Sequence, residues 1–294
     1  MGGEVSKSKS KSPPTYSVPD MPPRPFLMEH DGTNLVAVGD IHCGSTWGLC
    51  PPNFALLDGP SVTLSPFQQT LWGLWNRWIE EEIDPLPDGY TVVFMGDATE
   101  GAHHRTTQII SPDLGDHFNC AIEVLGRIMK RAGKIYFILG TECHTHTMEA
   151  GLGRHFGAVR CPLTPAMAAW NRLDLAYDDG GDGSFIRFVH HMPTSAREWT
   201  SATGLGTNIA DHQLVMAQAG ASIPRVVVSG HRHKYGVYEN GDSMSIAMPC
   251  WQGLTRHGHK VVPAAITKVG GVVFNFDRRK LLPDTSRWTR TIIL

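Results

Sequence analysis

The feature that most constrains this chain is a set of four short apolar runs, each followed within three residues by histidine or aspartate. The apolar runs are residues 35–38, 91–94, 185–188 and 225–228. The polar clusters that follow them are residues 39–42, 96–97, 189–191 and 230–233. Runs of this length and composition predict β-strands. Because open sheets bind ligands beyond the carboxyl ends of their strands, we expect the four clusters to lie at one edge of the fold.

The remaining periodicity predicts helices between these strands and hairpins after them. Ser65-Pro66 supplies the chemistry of a helix start, and apolar residues recur every three or four positions from there to Ile83. Further helices are predicted at 121–129 and 206–219, and a further strand at 134–139. Short β-runs follow at 236–238, 243–248, 261–266 and 271–276, the first two joined by the hairpin signal Asn240-Gly241. This order predicts an α/β fold in which two packed sheets are flanked by helices.

Composition narrows the class of protein. The 294 residues are ample for a full hydrophobic core, and 26 Lys+Arg against 28 Asp+Glu leave no global basic field for non-specific DNA binding. No apolar stretch approaches the roughly 20 residues that span a bilayer, so we expect no membrane segment. The six cysteines form no Cys-x-x-Cys pair, which argues against a zinc ribbon. With no apolar leader segment, we expect a cytoplasmic protein.

The N-terminal residues differ in composition from the rest of the chain. Lysines alternate with serines at the start, and prolines then follow at short intervals. Such a segment buries little apolar surface, so we predict a disordered Lys/Ser/Pro-rich tail at residues 1–30 and one domain at 31–294. The tail is either a solvated leader or a tether that touches nucleic acid.

The clusters have the chemistry of metal ligands. Asp40 and His42 are two positions apart, as are His231 and His233, so each pair points the same way from an extended strand end. Carboxylates and neutral imidazoles gathered in one crevice can hold one or two transition metals. Asp97 follows an equally apolar strand, and one carboxylate can bridge two cations about 3.5–4 Å apart.

The order of these motifs resembles that of the calcineurin-like metallophosphoesterase superfamily. The pattern Gly-Asp-x-His, Gly-Asp, a Gly–His segment, His and Gly-His-x-His extends over residues 34–276, and the segments 96–101 and 140–144 are most similar to phage-type members. The resemblance implies a metallophosphoesterase-type two-sheet β-sandwich flanked by α-helices. It also implies two divalent metal ions, drawn from Mn, Fe and Zn, and hydrolysis of phosphoester bonds by an activated water in a bacterial or phage-infected cell.

Position by position, the resemblance implies a role for each cluster residue. Asp40, His42 and His233 would hold the first metal, Asp97 would bridge, and His190 and His231 would hold the second. His190 fits the family pattern better than His191, which stands where a Gly is usual. The family's Gly-Asn-His is replaced by residues 140–144, which contain no Asn. Thr141, Glu142 and Cys143 are the candidates for the missing ligand, and His144 is the candidate general acid.

Other polar residues are weaker candidates. His103, His104 and Arg105 are candidates for phosphate contact, and His257 and His259 for the border of the site. Glu100 and Glu149 either orient ligands or are solvated surface residues.

The predicted activity is that of a phosphodiesterase or nuclease-like enzyme acting on a nucleic acid or nucleotide. The alternatives are a protein or nucleotide phosphomonoesterase and a catalytically weakened, metal-bound binding module. The sequence does not indicate the oligomeric state.

Overall fold

The computed structural model describes residues 27–29, 34–103, 106–144, 147–177, 185–192, 201–241, 243–261, 266–277, 280–281 and 286–292. The described strands are β1 (Leu27–Glu29), β2 (Asn34–Val38), β3 (Thr91–Phe94), β4 (Lys134–Phe137), β5 (Arg172–Ala176), β6 (Phe185–Val189), β7 (Pro224–Ser229), β8 (Gly236–Asn240), β9 (Ser243–Ala247), β10 (Thr267–Asp277), β11 (Lys280–Leu281) and β12 (Ser286–Ile292). The described α-helices are α1 (Pro66–Trp78), α2 (Leu114–Met129), α3 (Thr147–His155), α4 (Ser201–Gln218) and α5 (Arg256–Val261). A π-helical turn, Ile79–Ile83, extends α1, and a 3₁₀ turn, Glu142–His144, precedes α3.

The strands form two six-stranded mixed sheets. In the first, the order is β11-β10-β2-β3-β4, and β12 also pairs with β10. Strands β2, β3 and β4 are parallel. In the second, the order is β1-β5-β6-β7-β9-β8, and β6, β7 and β9 are parallel. Parallel strands end at the same edge, so the segments after β2 and β3, and those after β6 and β7, each emerge side by side.

Side chains alternate between the two faces of each sheet, and one face of each sheet packs against the other sheet. Leu35 and Ala37 of β2 face the second sheet, in a core that includes Phe188 of β6 and Val228 of β7. Val36 and Val38 face the opposite way, toward α1 and α2. Fully burying an aliphatic side chain of this kind contributes about 1.5–3 kcal/mol. Leu205 of α4 packs with Ala247 on the outer face of the second sheet. The predicted two-sheet α/β fold flanked by helices is confirmed.

Local signals account for several elements and fail for others. The Ser65 hydroxyl accepts from the Gln68 backbone N–H at 3.2 Å, and the Gln68 side chain accepts from the Ser65 N–H, which forms the predicted helix start. The Asn240-Gly241 hairpin is also present, with β8 and β9 paired antiparallel. The strand predicted at 261–266 is wrong at Val261, which ends α5. The Thr255 hydroxyl accepts from the Gly258 N–H and starts this helix instead.

The boundaries of the tail and of two helices also differ from the predictions. Leu27–Glu29 pairs with β5, so a strand lies inside the segment predicted as tail, while residues 1–26 lie outside the described residues. Helix α2 begins at Leu114 rather than 121, because the Asp113 carboxylate caps it by accepting from the Gly115 N–H at 2.8 Å. Helix α4 begins at Ser201 rather than 206. Among the described helices, none has the length and apolar character needed to cross a membrane.

Candidate metal centre

The predicted ligands all follow strand ends at one end of the sandwich. Asp40 and His42 follow β2, Asp97 follows β3, and both strands belong to the first sheet. His190 follows β6, and His231 and His233 follow β7, in the second sheet. The Asp40 N–H donates to the Gly96 carbonyl at 2.9 Å, so the first two segments run together beyond their strands. The His231 N–H donates to the Asp40 carboxylate at 3.1 Å, which joins the two sheets at the site.

Five of the six predicted ligands have a left-handed backbone. Their φ angles are 50° for Asp40, 45° for His42, 50° for Asp97, 69° for His231 and 52° for His233. A non-glycine residue in this region costs about 1–3 kcal/mol, and such strain is concentrated at functional sites. Here it turns each side chain inward directly after its strand.

Gly96 allows the two sheets to approach at this point. Its φ is 94°, and a Cβ added there would lie 2.7 Å from Nδ1 of His190 and 2.8 Å from Cα of Gly140. Both distances are shorter than a carbon atom tolerates. Only glycine therefore fits between the Asp97 loop, the loop after β4 and the end of β6.

The first half of the site consists of Asp40, His42 and His233. The Nε2 atoms of His42 and His233 are 3.0 Å apart, and Nε2 of His233 is 3.4 Å from Oδ1 of Asp40. Two ligand atoms that each lie about 2.0–2.1 Å from a tetrahedral ion are roughly 3.3 Å apart. The three donors, which lie within 4.8 Å of one another, therefore fit one metal ion.

The second half of the site consists of Asp97, His190, His231 and Thr141. Nε2 of His190 is 3.1 Å from Oδ2 of Asp97, and the Thr141 hydroxyl is 3.0 Å from Nδ1 of His231. Oδ2 of Asp97 also lies 3.9 Å from Nε2 of His42. The Asp97 carboxylate thus stands between the two halves, as a bridging ligand must.

The structure separates the residues among which the sequence left a choice. Thr141 lies at the second half of the site, whereas the side chains of Glu142 and Cys143 are exposed. His190 is buried against Asp97, whereas His191 is exposed, with a ring nitrogen within 4.8 Å of donors of His190 and His231. Thr141 and His190 are therefore the members that contact the Asp97 carboxylate.

Hydrogen bonds orient the histidine rings. Nδ1 of His42 is 3.0 Å from the Glu100 carboxylate, and Nδ1 of His190 is 2.6 Å from the Met95 carbonyl. Because both partners are acceptors, each Nδ1 carries the hydrogen and each Nε2 faces the centre. Gln252 donates to the same Glu100 carboxylate at 2.6 Å. Buried partners of this kind fix the tautomer and the direction of metal-binding histidines.

The ionisation states suit a cation site. Burial raises the pKa of Asp97, but its hydrogen bond with His190 and the nearby imidazoles hold that pKa far below the usual range. Burial lowers the pKa of His190, but the hydrogen bond and charge of Asp97 outweigh it and raise the pKa to about 9. Burial also lowers the pKa of His231 to about 4, so this ring is neutral at pH 7. A metal ion that binds Nε2 of His190 would release a proton.

His144 lies beside the centre. Its Nδ1 is 2.8 Å from the backbone carbonyl of Glu100, and its ring centroid is 4.7 Å from that of His42 and 4.3 Å from that of His103. Burial lowers the pKa of His144 to about 4, and the neighbouring His42 adds to this. A ligand donor of His144 lies within 4.8 Å of those of His42 and Asp97, so the ring can reach a group bound at the centre.

An open cavity of about 280 Å³ gives access to the site. Asp97, His144 and His231 line it. Arg232 and Lys234 add positive charge to the lining, and Leu254 and Ile266 add apolar surface. Of the weaker candidates, His103 lines the cavity and His259 is exposed. His104 and Arg105 lie outside the described residues, as does the side chain of His257.

Sequence reasoning missed part of the site. Glu100 is 2% exposed and Glu149 fully buried, so of their two predicted alternatives, orienting ligands or solvated surface, the second is wrong. Oε1 of Glu149 accepts from the Ala98 N–H at 3.1 Å, and burial, with the charge of Asp97, raises the pKa of Glu149 to about 8. Gln252 follows no strand end and carried no signal. The spacing of Glu100 three residues after Asp97 was the one available indication.

Comparisons with known proteins give only distant likenesses. No protein-family model and no curated protein matches the sequence. Matched solved structures include Vps29 of Entamoeba histolytica complexed with Zn²⁺ (9% identity, 88% of this chain and 98% of that chain, TM-score 0.38). They also include a novel archaeal phosphodiesterase (10% identity, 87% and 99%, TM-score 0.37) and Yfce, a phosphoesterase from E. coli (10% identity, 86% and 98%, TM-score 0.38). Likeness at this level assigns no activity, metal or partner to this chain.

Proposed function

We propose that this protein is a metal-dependent phosphoester hydrolase that cleaves phosphodiesters at a dinuclear centre. The observation that carries the proposal is the position of Asp97. One of its carboxylate oxygens lies 3.1 Å from Nε2 of His190 and 3.9 Å from Nε2 of His42, between two separate groups of donors. A shared carboxylate between two such groups is the arrangement that two-metal hydrolysis requires.

The donors match divalent transition metals. Asp40, His42 and His233 would hold one ion, His190 and His231 the other, and Asp97 both. Mixed carboxylate and imidazole ligands suit Mn, Fe and Zn. When bound, such ions supply Lewis acidity that polarises a phosphoryl oxygen and makes water a stronger nucleophile near neutral pH.

The surrounding residues would bind and orient the substrate. Arg232 and Lys234 line the cavity at the Gly-His-x-His segment, where their charges would attract phosphate oxygens. Glu100 holds His42 in place through its Nδ1 hydrogen. The apolar part of the wall, with Leu254 and the 57% exposed Ile266, offers a surface for the organic group of an ester. A cavity lined by both positive charge and apolar side chains favours a diester from a nucleic acid or nucleotide.

His144 is the proposed proton donor to the leaving oxygen. With Nδ1 donating to the Glu100 carbonyl, Nε2 is the atom that we propose as the proton donor. The pKa of about 4 leaves few protonated rings at pH 7. A phosphate anion in the cavity would stabilise the cationic ring and raise that pKa, because an opposite charge nearby favours the charged form.

The test is hydrolysis of bis-p-nitrophenyl phosphate and p-nitrophenyl phosphate with and without Mn²⁺. The proposal predicts Mn²⁺-dependent turnover of the diester, which chelation removes and readdition restores. Turnover of the monoester alone would indicate a phosphomonoesterase instead of a phosphodiesterase. Bound Mn²⁺ without turnover of either ester would indicate a metal-bound binding module instead of an enzyme.

A further inference from the structure

Thr141 occupies an unusual position in the second half of the site. It follows Gly140 after β4, and its N–H donates to Oδ1 of Asp97 at 2.6 Å. A Cβ added at Gly140 would lie 2.3 Å from that same oxygen, so the glycine lets the loop close onto the carboxylate. The backbone of Thr141 is therefore fixed against the bridging residue.

The Thr141 hydroxyl lies among three predicted ligands. Its oxygen is 3.1 Å from Oδ2 of Asp97, 3.2 Å from Nε2 of His190 and 3.0 Å from Nδ1 of His231. A hydroxyl offers one hydrogen and two lone pairs, so these three contacts use its full capacity.

These distances also fit ion coordination. Ligand atoms around a tetrahedral ion are roughly 3.3 Å apart, and the three hydroxyl distances are close to that value. The hydroxyl is thus at ligand-to-ligand distance from each of the three atoms, and it can share an ion with them.

The two halves of the site differ in charge. The first half has its own carboxylate, Asp40, besides the shared Asp97. The second half has a neutral hydroxyl in the corresponding place, and an entering ion must replace the hydrogen bonds that Thr141 makes. Because carboxylates bind hard divalent ions such as Mn²⁺ better than neutral oxygens do, the second half is the weaker.

On the basis of the proposed function, we infer that Thr141 supplies a ligand to the second metal ion through its hydroxyl, and that this ion binds more weakly than the first and exchanges. The active centre would thus hold one ion firmly and fill its second position only at a higher metal concentration.

The test is a titration of the full chain with Mn²⁺ alone, with free Mn²⁺ followed by its electron paramagnetic resonance signal. We expect the wild-type protein to bind two ions whose dissociation constants differ by at least about tenfold. Thr141→Val keeps the side-chain shape and removes the hydroxyl. This substitution should raise the dissociation constant of the second ion by at least about a further tenfold. It should change the dissociation constant of the first ion by less than about twofold.

Two further variants separate this effect from a disturbed fold. Thr141→Ser keeps the hydroxyl and should bind the second ion within about threefold of wild type. Thr70→Val, on the exposed surface of α1, should match wild type for both ions. Circular dichroism spectra of all variants check that they are folded.

The outcomes distinguish this inference from the proposed function. Equal affinities for the two ions in the wild type, or an unchanged second ion in Thr141→Val, would overturn the inference and leave the proposed hydrolase standing. Two ions of unequal affinity, sensitive to Thr141 but without turnover of either ester, would uphold the inference and remove the hydrolase. A wild-type protein that binds no Mn²⁺ would overturn both.

Discussion

The Nε2 atoms of His42 and His233 lie 3.0 Å apart, although 191 positions separate the two residues along the chain. His42 follows β2 in the first sheet, and His233 follows β7 in the second. Because Nδ1 of His42 donates its hydrogen bond to the Glu100 carboxylate, the lone pair lies on Nε2 and is directed at His233. A lone pair this close to a second ring nitrogen requires a proton or a cation between them. The packing of the two sheets thus brings together two ring nitrogens that can share a proton or a metal ion.

Replacing Asp97 should disable the whole centre. Asp97→Asn keeps the shape but removes the charge that both halves share, so we expect loss of Mn²⁺-dependent diester hydrolysis and about 10–100-fold weaker metal binding. Asp58→Asn, at an exposed position, is the matched control. Metal content by mass spectrometry and turnover are measured together. Wild-type turnover with two bound ions in Asp97→Asn would remove the bridging role.

The role of His144 is tested with two leaving groups. His144→Ala should cut turnover of diesters with alkyl leaving groups by about 10²–10⁴-fold, because the departing alkoxide needs a proton. The loss should be much smaller with p-nitrophenyl esters, whose leaving group is stable as an anion. Bound metal should be unchanged. An equal loss with both substrates, or a loss of metal, would show that His144 is a ligand rather than an acid.

Glu100 should act through His42. Its carboxylate accepts from His42, from Gln252 and from His103, each within 3.0 Å, and these hydrogen bonds hold its pKa well below the usual range despite burial. Glu100→Gln places an NH₂ group among these donors, so we expect about 10–100-fold weaker Mn²⁺ binding. Turnover should recover in part at saturating Mn²⁺, as befits a positioning residue. Glu80→Gln, at an exposed position, is the control. Unchanged Mn²⁺ affinity in Glu100→Gln would contradict this role.

Arg232 and Lys234 should bind substrate and take no part in the chemical step. Arg232→Met and Lys234→Met keep much of the side-chain bulk, and we expect KM for a dinucleotide to rise about 10–100-fold with kcat nearly unchanged, since a hydrogen bond to a charged group is worth about 1.5–3 kcal/mol. The wild-type KM should also rise with salt. Lys130→Met, on the exposed end of α2, is the control. A fall in kcat at constant KM would count against this assignment.

Much of the fold was predictable from local pattern. Apolar runs gave the strands that deliver Asp40, Asp97, His190 and His231, and the Ser65 cap and the Asn240-Gly241 turn gave a helix start and a hairpin. The β-rich composition at 261–266 misled at Val261, which is the last residue of α5, a helix capped at its start by the Thr255 hydroxyl. Strands β5 and β12 were not predicted, although Arg172–Ala176 alternates polar and apolar residues.

The details of the site depend on tertiary contacts that the sequence does not display. Thr141, Glu142 and Cys143 are consecutive in the chain. Which of them faces the centre depends on the hydrogen bond from the Thr141 N–H to the Asp97 carboxylate. The burial of Glu100 depends on donors from segments as distant as Gln252. Strand-end motifs therefore indicated the candidate ligands, and only the assembled sheets indicated the residues that orient them.

The most direct test of the two-metal centre is anomalous X-ray scattering from crystals of the protein grown or soaked with Mn²⁺. The account predicts two manganese peaks on either side of the Asp97 carboxylate, about 3.5–4 Å apart, one beside His42 and His233 and the other beside His190 and His231. The peak beside His190 should be the weaker at limiting Mn²⁺. A single peak remote from Asp97, or no peak at saturating Mn²⁺, would contradict the account.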